Sequence, residues 1–418
     1  MNIRKFIFLL KDRLLNDGAF NKNTDELRTE FQLSFPSKNL KLNNILEYSV
    51  KHVEYYKKFE NFSSYKDFPV LTKDVIKINY ECFLSSEYKD GLEKLHKVTT
   101  SGSYGTPFTF YLNKEKRRKV VSEVYYFGEK SNFYLGMKHA YLVSKSKGKL
   151  SQFIQNQLMI TVDKLDDNWC ESAFQSLKDG NVKVLVGYPS AIARLASYVL
   201  NKKIQFPMHG VITISEVLTS NNYNIINKAF SCAPVSRYST EEFGVLANQD
   251  TSGCFFYLNQ CNYFIEILSQ SNNCPAKIGE LGRVVVTDFF NKSMPLIRYD
   301  TGDLARPYEI KNNIVTKIES VEGRVLAVIR DVAGDTVSSF SINGALRDYE
   351  NIIQFQFSQE GFDEYLLKII KKNNIDEENI KNLYKGILGE TARVNIIYVD
   401  DIPPLASGKR PYILQNHY

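Results

Sequence analysis

The sequence predicts an α/β fold with mixed α+β character, in which a large N-terminal domain of layered β/α subdomains and a β-rich subdomain precedes a small C-terminal domain. Three observations predict it. Strand-like apolar runs alternate with helical segments after Gly105, strands joined by turns follow from Phe255, and mixed patterns return after Gly323. The 418 residues exceed the usual length of one domain. We therefore expect domains 1–322 and 323–418.

The individual elements follow from local patterns. The first hundred residues are polar and predict helices. A helix is expected after Tyr188, because apolar residues recur there at the spacing of one helical face. A strand is predicted at Gly210–Ile214, a helix at Ser220–Phe230 and a strand at 234–238. Further strands are expected within FFYLN, YFIEIL, RVVVTDFF and PLIRYD, which lie between residues 255 and 300.

Composition and charge argue against several classes of protein. Hydrophobic residues make up 43% and charged residues 24%, which disfavours a disordered or membrane-embedded chain. The net charge of +6 is small, and the basic run KEKRRK at 114–119 is interpreted as a solvated helix end, so nucleic acid is not an expected partner. Six scattered cysteines and five separated histidines indicate neither a disulfide framework nor a zinc site.

The stretch MNIRKFIFLLKDRLL predicts an amphipathic helix. Its apolar run is too short for a signal-peptide core, and no segment approaches the ~18 apolar residues of a membrane-spanning helix. We therefore expect a cytoplasmic protein without a transmembrane segment. Contact of a surface helix with a membrane stays open, as does the oligomeric state.

The run TTSGSYGTP at 99–107 is the strongest single indication of function. Glycine permits backbone turns in which successive N–H groups converge on phosphate oxygens, and the hydroxyls add further donors. The run lacks the Lys-Ser/Thr pair of a P-loop and the glycine spacing of a dinucleotide motif. It is typical either of a polyphosphate-binding loop or of a hairpin turn with FTFYL as the return strand.

Two further motifs, YSTEEFG at 238–244 and RYDTGD at 298–303, follow in an order that resembles the adenylate-forming enzymes. The SGKRP run near the C-terminus fits the same pattern. FPVLTKDVI from Phe68, YPSAIARLASYVL from Tyr188 and MPLIRYDTGDL from Met294 are similar to the phenylacetate-CoA ligase branch, especially to relatives described as capsular polysaccharide biosynthesis proteins. The likeness extends from about residue 68 to residue 409.

The resemblance implies a role for each central residue. Glu242 matches the carboxylate that holds Mg²⁺, Thr240 a hydroxyl that contacts the α phosphate, and Tyr238 the ring beside the adenine. Asp303 matches the carboxylate that binds the ribose hydroxyls, and Lys409 the lysine that stabilises the attacking carboxylate oxygens. ATP and Mg²⁺ are thus the expected substrate and metal.

Other candidates surround this set. Ser215 and Glu216 match residues next to the adenine, and Arg298 either faces the phosphates or pairs with Asp300. The resemblance also implies a hinge at Arg324, about which the small C-terminal domain would move as a lid. The candidates for holding the β and γ phosphates are Thr100, Ser101, Gly102, Ser103, Gly105 and Thr106. The candidates for lining the acyl pocket are Tyr188, Pro189 and Ile214.

Structural explanations compete with these roles. YSTEEFG is also typical of a helix N-terminus, Thr-Gly-Asp of a turn, and a terminal Gly-Lys of a flexible tail. Tyr104, Phe108, Ser239 and Leu326 depart from the family pattern.

The resemblance implies a ligase that activates a carboxylic acid as an acyl adenylate and passes it to coenzyme A, an amine or a hydroxyl. The partners would then be small molecules. The alternative is a non-catalytic nucleotide-binding member of the family that acts as a partner or regulatory protein.

Overall fold

The computed structural model describes residues 3–100, 108–143, 147–162, 165, 167–322, 329–334, 336–337, 342, 345–346, 349, 351–403 and 413–415. The α-helices are α1 (Ile3–Asn16), α2 (Ala19–Gln32), α3 (Lys38–His52), α4 (Lys73–Ile78), α5 (Lys114–Glu129), α6 (Lys149–Gln155), α7 (Asp167–Asp179), α8 (Pro189–Asn201), α9 (Ser220–Phe230) and α10 (Glu377–Leu388). Short 3₁₀ helices cover Glu54–Phe59, Tyr65–Asp67, Tyr80–Phe83 and Lys89–Lys94.

The strands alternate with these helices in the middle of the chain and follow one another directly between residues 234 and 322. They are β1 (His96–Thr100), β2 (Phe108–Leu112), β3 (His139–Val143), β4 (Gln157–Thr161), β5 (Val184–Gly187), β6 (Gly210–Ile214), β7 (Pro234–Thr240), β8 (Gly244–Gln249), β9 (Phe256–Leu258), β10 (Tyr263–Ser269), β11 (Gly282–Asp288), β12 (Tyr299–Lys311), β13 (Ile314–Glu322), β14 (Ile329–Arg330), β15 (Thr336–Val337), β16 (Ile352–Gln359), β17 (Glu364–Lys371), β18 (Arg393–Tyr398) and β19 (Ile413–Gln415). The predicted α/β fold class is confirmed.

The chain forms two compact units, each built from two stretches of sequence. Unit 1 comprises Met1–Met137 and Val235–Val321, and unit 2 comprises Lys138–Pro234 and Glu322–Tyr418. The chain leaves unit 1 for the last time between Val321 and Glu322, next to the boundary expected at Gly323. The division into domains 1–322 and 323–418 stays a prediction.

Unit 1 contains a sheet of largely antiparallel strands. Its order is β7, β8, β9, β13, β12, β11, β10, and a separate antiparallel hairpin joins β1 to β2. The core between this sheet and the helices is rich in aromatic side chains, among them Phe68, Phe83, Phe110, Phe243 and Tyr263. Such large side chains contribute most of the apolar area that a core buries.

Unit 2 contains four parallel strands in the order β6, β5, β3, β4. Helix α8 buries its apolar stripe, including Ile192, Leu195 and Val199, in the core of this layer. Pro189 begins the helix, where its missing N–H is tolerated and its fixed φ suits the first turn. Elements β6, α8 and α9 therefore match their predicted positions.

The remaining part of unit 2 is a small α+β layer. Strands β18, β17, β16 and β19 form a sheet against which α10 packs Ile380, Tyr384 and Leu388. The side chain of Asn221 on α9 donates a hydrogen bond to the carbonyl of Ile352 at 3.3 Å. A small C-terminal α+β layer was predicted from the mixed pattern after Gly323.

Two local predictions are wrong. In PLIRYD the strand starts only at Tyr299, because Arg298 has a φ of +50°, which interrupts extended backbone. In KEKRRK, Lys116 and Lys119 are buried instead of solvated. Their ammonium groups pair with Asp288 and Glu26, which offsets the cost of burying the charges.

Candidate nucleotide site

The motif YSTEEFG forms the tight turn of the β7–β8 hairpin. Thr240 pairs with Gly244 across the ladder, and the Phe243 N–H donates to Oγ1 of Thr240 at 3.2 Å. Gly244 has φ +110°, and a Cβ atom there would lie 2.7 Å from Oε2 of Glu123. Only glycine suits this position. The helix N-terminus proposed as the alternative for this motif is therefore wrong.

The turn sets which side chains of the motif point inward. Tyr238 and Glu242 are buried, whereas Ser239 and Glu241 are exposed. A register shift between Tyr238 and Ser239 interrupts the regular ladder at this point. Such a bulge re-aims side chains at the end of a strand, which is a common device next to binding sites.

Asp303 lies on a second bulge, in β12. Residues 301–303 oppose Val284 alone, because the β11–β12 register shifts there. Gly302 supplies the positive φ of +73° that the bulge needs, and Thr301 Oγ1 donates to the carbonyl of Val284 at 3.0 Å. The Thr-Gly-Asp run thus forms a local turn, as its residue types predict, and this turn directs the Asp303 carboxylate into the interior of unit 1.

The two bulges bring Tyr238 and Asp303 together. The Tyr238 hydroxyl donates to Oδ2 of Asp303 at 2.6 Å and lies 3.4 Å from Oγ1 of Thr301. Burial, together with the Asp303 carboxylate, raises the pKa of the Tyr238 phenol well above its usual range, and the charge of Glu242 adds to the effect. The phenol therefore stays protonated and acts as a donor.

Asp303 and Glu242 thus place two carboxylates in buried positions near the neutral Tyr238 hydroxyl. Carboxylates in such a setting favour hydroxyl donors or a hard cation. The described residues contain no group of three or more Asp, Glu, His or Cys side chains suited to a metal ion. Glu242 fits Mg²⁺ only as one oxygen ligand among several, with the rest supplied by phosphate and water.

A buried polar network of Glu123, Asn262 and Tyr263, which the sequence did not predict, holds the backbone at the β7–β8 turn. Glu123 accepts hydrogen bonds from the Val245 N–H at 3.0 Å and from Asn262 at 2.7 Å. The Tyr263 hydroxyl, which has one proton to donate, lies within hydrogen-bonding distance of both Glu123 and the carbonyl of Phe243. These bonds fix the backbone on the C-terminal side of Glu242.

Lys116 completes this network. Its ammonium lies 2.8 Å from the Tyr263 hydroxyl and 2.7 Å from Oδ2 of Asp288. Burial raises the pKa of Glu123 despite the charge of Lys116 nearby. The only sequence feature that pointed to a buried lysine here was the basic run at 114–119, because a lysine beside apolar positions of a helix can point into the core.

Arg298 has a partner that neither sequence alternative named. Its guanidinium forms a bidentate pair with Glu266, at 3.0 and 3.1 Å, and donates to the carbonyl of Phe68 at 3.0 Å. Asp300 instead accepts from Arg283 at 2.8 Å. The predicted pairing of Arg298 with Asp300 is therefore wrong, and the geometry gives Arg298 a structural part in unit 1.

The acyl-pocket candidates lie in unit 2, at the carboxyl ends of neighbouring strands. Tyr188 follows β5 and Ile214 ends β6, and these strands pair in parallel with Gly187 opposite Thr213. Oε2 of Glu216 accepts from the Ser190 N–H at 3.1 Å, which caps α8 just after Pro189. The carboxyl edge of a parallel sheet is where such folds bind ligands.

Ser215 occupies strained backbone next to this edge. Its φ of +68° is in the left-handed region that favours glycine. The resemblance expects Gly at this position, and glycine is the residue that adopts such a φ most readily. The adenine-binding roles of Ser215 and Glu216 stay predictions.

Several predicted site residues lie outside the described residues. They are Ser101, Gly102, Ser103, Tyr104, Gly105, Thr106, Arg324, Leu326 and Lys409. Thr100 and Phe108 pair as the last and first residues of β1 and β2. The loop interpretation and the hairpin interpretation of this run are therefore compatible, since the hairpin strands flank the glycine-rich segment.

Comparisons with known proteins agree with this geometry. The CapK C-terminal domain family matches residues 329–416. Protein CapK of Staphylococcus aureus is 25% identical over 415 residues, covering 91% of this chain and 89% of that protein.

Solved structures show the same fold. A 2-hydroxyisobutyryl-CoA ligase in the postadenylation state, in complex with R3-HIB-AMP, has a TM-score of 0.70 at 15% identity and covers 90% of this chain and 88% of its own. The amide bond synthetase McbA from Marinactinospora thermotolerans has a TM-score of 0.55 at 12% identity and covers 76% of this chain and 67% of its own. ATP-bound MatB from Rhodopseudomonas palustris has a TM-score of 0.53 at 15% identity, with coverage of 77% and 67%.

The predicted resemblance is confirmed by the similarity to Protein CapK and by the fold of the neighbouring structures. The chain is similar to Protein CapK of Staphylococcus aureus and has the fold of solved ligases such as the 2-hydroxyisobutyryl-CoA ligase and MatB.

Proposed function

We propose that this protein activates a carboxylic acid with ATP, forms an acyl adenylate with release of pyrophosphate, and transfers the acyl group to a nucleophile. The observation that carries the proposal is the hydrogen bond between buried Tyr238 and Asp303, which lie on two bulges of unit 1, with buried Glu242 in the adjoining β7–β8 turn. A homologous fold that is known with a bound acyl-AMP supports the same reaction class.

In this proposal Asp303 binds the ribose. A carboxylate has about four lone-pair sites, so it can accept from Tyr238 and from both ribose hydroxyls together. Tyr238 holds one oxygen at 2.6 Å and thereby orients the carboxylate before the nucleotide arrives. Preorganisation of this kind reduces the ordering that binding requires.

The phosphates would lie against the β7–β8 turn and the glycine-rich run at 99–107. Thr240 would donate its hydroxyl to the α phosphate, and the backbone of the run would hold the β and γ phosphates. Mg²⁺ held by Glu242 would neutralise the charge that develops as pyrophosphate leaves. The Lys409 ammonium would stabilise the attacking carboxylate oxygens.

The reaction would then proceed in two steps, adenylation and acyl transfer. A carboxylate oxygen bonds to the α phosphorus, and the bond from that phosphorus to pyrophosphate breaks. The nucleophile next attacks the acyl carbon and AMP leaves with the carboxylate oxygen. A thiol, amine or hydroxyl satisfies this step, so coenzyme A and an acceptor of surface polysaccharide synthesis both remain candidates.

The acid would bind at the carboxyl edge of the parallel strands in unit 2. Tyr188, Pro189 and Ile214 supply apolar surface there, and Ser215 and Glu216 follow directly after β6. No helix among the described residues has the length and apolar character needed to cross a bilayer. The expectation of a cytoplasmic location is retained as part of the proposal, because the reaction consumes ATP.

The test is carboxylate-dependent exchange of labelled pyrophosphate into ATP. Aryl acids, fatty acids, amino acids and uronic acids are supplied separately to the wild type and to Lys409→Ala. Exchange that requires one acid class and Lys409 supports the proposal. Mg-ATP binding without exchange for any acid class would favour the non-catalytic alternative instead.

A further inference from the structure

Helix α1 carries an apolar stripe on its outer face. Ile3, Phe6, Ile7, Leu10 and Leu14 are between 46% and 73% exposed. Their spacing of three, four, seven and eleven residues places them on one side of an α-helix. Five large apolar side chains in one row form a continuous exposed surface, which single scattered residues do not.

The opposite face of α1 is fixed to its own unit. The Phe8 ring packs edge-on against Phe20 at 5.2 Å, and Oδ2 of Asp12 accepts from the Phe20 N–H at 2.9 Å. Arg118 on α5 donates to Oδ1 of Asn16 at 2.6 Å. These contacts set the rotation of the helix, so the apolar stripe points away from the unit.

Basic residues flank the stripe on both sides. At 3.6 residues per turn, Lys11 and Arg4 lie about 80° to 100° from its centre on one side, and Arg13 lies about 80° from it on the other. Lys5, Lys11 and Arg13 are exposed. Asp12 is the only acidic residue of the helix and is buried against α2.

We propose that α1 binds the surface of a membrane that contains anionic lipids, lying in the interface with its apolar stripe among the acyl chains. An apolar row with basic residues on both sides matches this environment, because acyl chains take up the stripe while phosphate headgroups meet the cations. Pairing with a second copy of the helix would bring the basic residues of the two copies together, and the one acidic residue of α1, Asp12, is buried. The charge pattern therefore favours lipid over self-association.

The proposal predicts that the folded protein attaches to the membrane through α1. An interfacial helix lies with its apolar face about 5–10 Å deep in the headgroup boundary. One helix of this length gives reversible attachment that depends on charge. The inference does not rest on the proposed adenylation chemistry, so either can fail alone.

Co-sedimentation with vesicles tests the proposal. Vesicles in which about one third of the phosphatidylcholine is replaced by phosphatidylglycerol are compared with vesicles of phosphatidylcholine alone, at low and high salt. We expect binding to the anionic vesicles that weakens with salt, since salt screens exposed charges. Absence of binding to anionic vesicles at low salt overturns the proposal.

Variants separate the two contributions. Leu10→Glu is expected to weaken binding roughly tenfold or more, because it puts a charge in the apolar row. Lys11→Gln and Arg13→Gln are expected to weaken it about fivefold each. Leu40→Glu changes another exposed leucine of unit 1, on α3, and should bind like the wild type. Equal binding by Leu10→Glu and the wild type overturns the proposal.

A spectroscopic readout reports insertion directly. Trp169 is the only tryptophan of the chain. In Phe6→Trp, the added fluorescence should shift to shorter wavelength with anionic vesicles and be quenched by brominated acyl chains. Unchanged emission, or a dimer in solution that Leu10→Glu dissociates, assigns the stripe to protein contact and overturns the proposal.

Discussion

The Tyr238 hydroxyl donates a 2.6 Å hydrogen bond to the Asp303 carboxylate, and both side chains are buried. The two residues lie 65 positions apart and reach each other because a bulge interrupts each of their strands. The bond joins the two motifs that most resemble the adenylate-forming enzymes. It brings them to one place within unit 1.

Removing the Asp303 charge should weaken ATP binding. Asp303→Asn replaces charged hydrogen bonds worth about 1.5–3 kcal/mol each, so affinity should fall by roughly tenfold or more. Tyr238→Phe should have a smaller effect, since it removes only the group that orients the carboxylate. Titration calorimetry with Mg-ATP measures both. Unchanged affinity in Asp303→Asn, with the variant folded, would contradict the ribose assignment.

Lys409 should act on the rate and not on nucleotide affinity. Lys409→Ala is expected to leave ATP binding near the wild-type value and to reduce adenylation by about 10²- to 10³-fold, as loss of one preorganised donor does. Rapid-quench measurement of pyrophosphate release gives the rate. If Lys409→Ala and Asp303→Asn impaired binding equally, the assigned roles would be wrong.

Glu242 should determine the requirement for magnesium. Glu242→Gln is expected to raise the Mg²⁺ concentration for half-maximal pyrophosphate exchange, because an amide is a weaker ligand for a hard cation. Glu241→Gln is the matched control, since Glu241 is adjacent in sequence but exposed. The same Mg²⁺ dependence in both variants would exclude Glu242 as the metal ligand.

Gly244 should be intolerant of a side chain. In Gly244→Ala the new Cβ meets Oε2 of Glu123 at 2.7 Å and the backbone has φ +110°, so we expect a loss of roughly 1–3 kcal/mol in the free energy of unfolding. Gly253→Ala is the control, because Gly253 also has a positive φ, of +78°, but its Cβ would meet nothing closer than 3.9 Å. Urea denaturation compares them, and equal losses would argue against the close packing of Glu123 under the turn.

Lys38 should make stability depend on pH. Burial lowers its pKa to about 8, partly opposed by Glu266, whereas a lysine in the unfolded chain titrates near ~10.4. Between these values the unfolded chain holds more protons, so stability contributed by this group rises with pH. The wild type should therefore gain stability relative to Lys38→Met between pH 8 and pH 10. A constant difference between the two proteins across that window would contradict the lowered pKa.

The sequence predicts those elements whose pattern is local. Helix α8 and strand β6 appear where periodicity and apolar runs place them, because each depends on residues a few positions apart. The β7–β8 turn was not predicted. A run of Ser, Thr and Glu suits a helix cap as well as a hairpin, and the contact of Gly244 with Glu123 decides between them.

Long-range partners explain the remaining differences. Lys116 is buried because its ammonium contacts Asp288 and Tyr263, which lie in distant parts of the sequence. Arg298 pairs with Glu266 because that carboxylate lies on β10 of the same sheet. A single sequence gives no indication of such pairs. The motif residues themselves were found through resemblance, whereas the buried network beneath them needed the three-dimensional fold.

The transfer of oxygen from the acid to AMP tests the central claim most directly. An acid that supports pyrophosphate exchange is prepared with ¹⁸O in both carboxylate oxygens and incubated with the protein, ATP and an acyl acceptor. An acyl adenylate intermediate predicts one ¹⁸O atom in the phosphate of AMP, read by mass spectrometry. Unlabelled AMP, or ¹⁸O in inorganic phosphate together with ADP, would contradict the account.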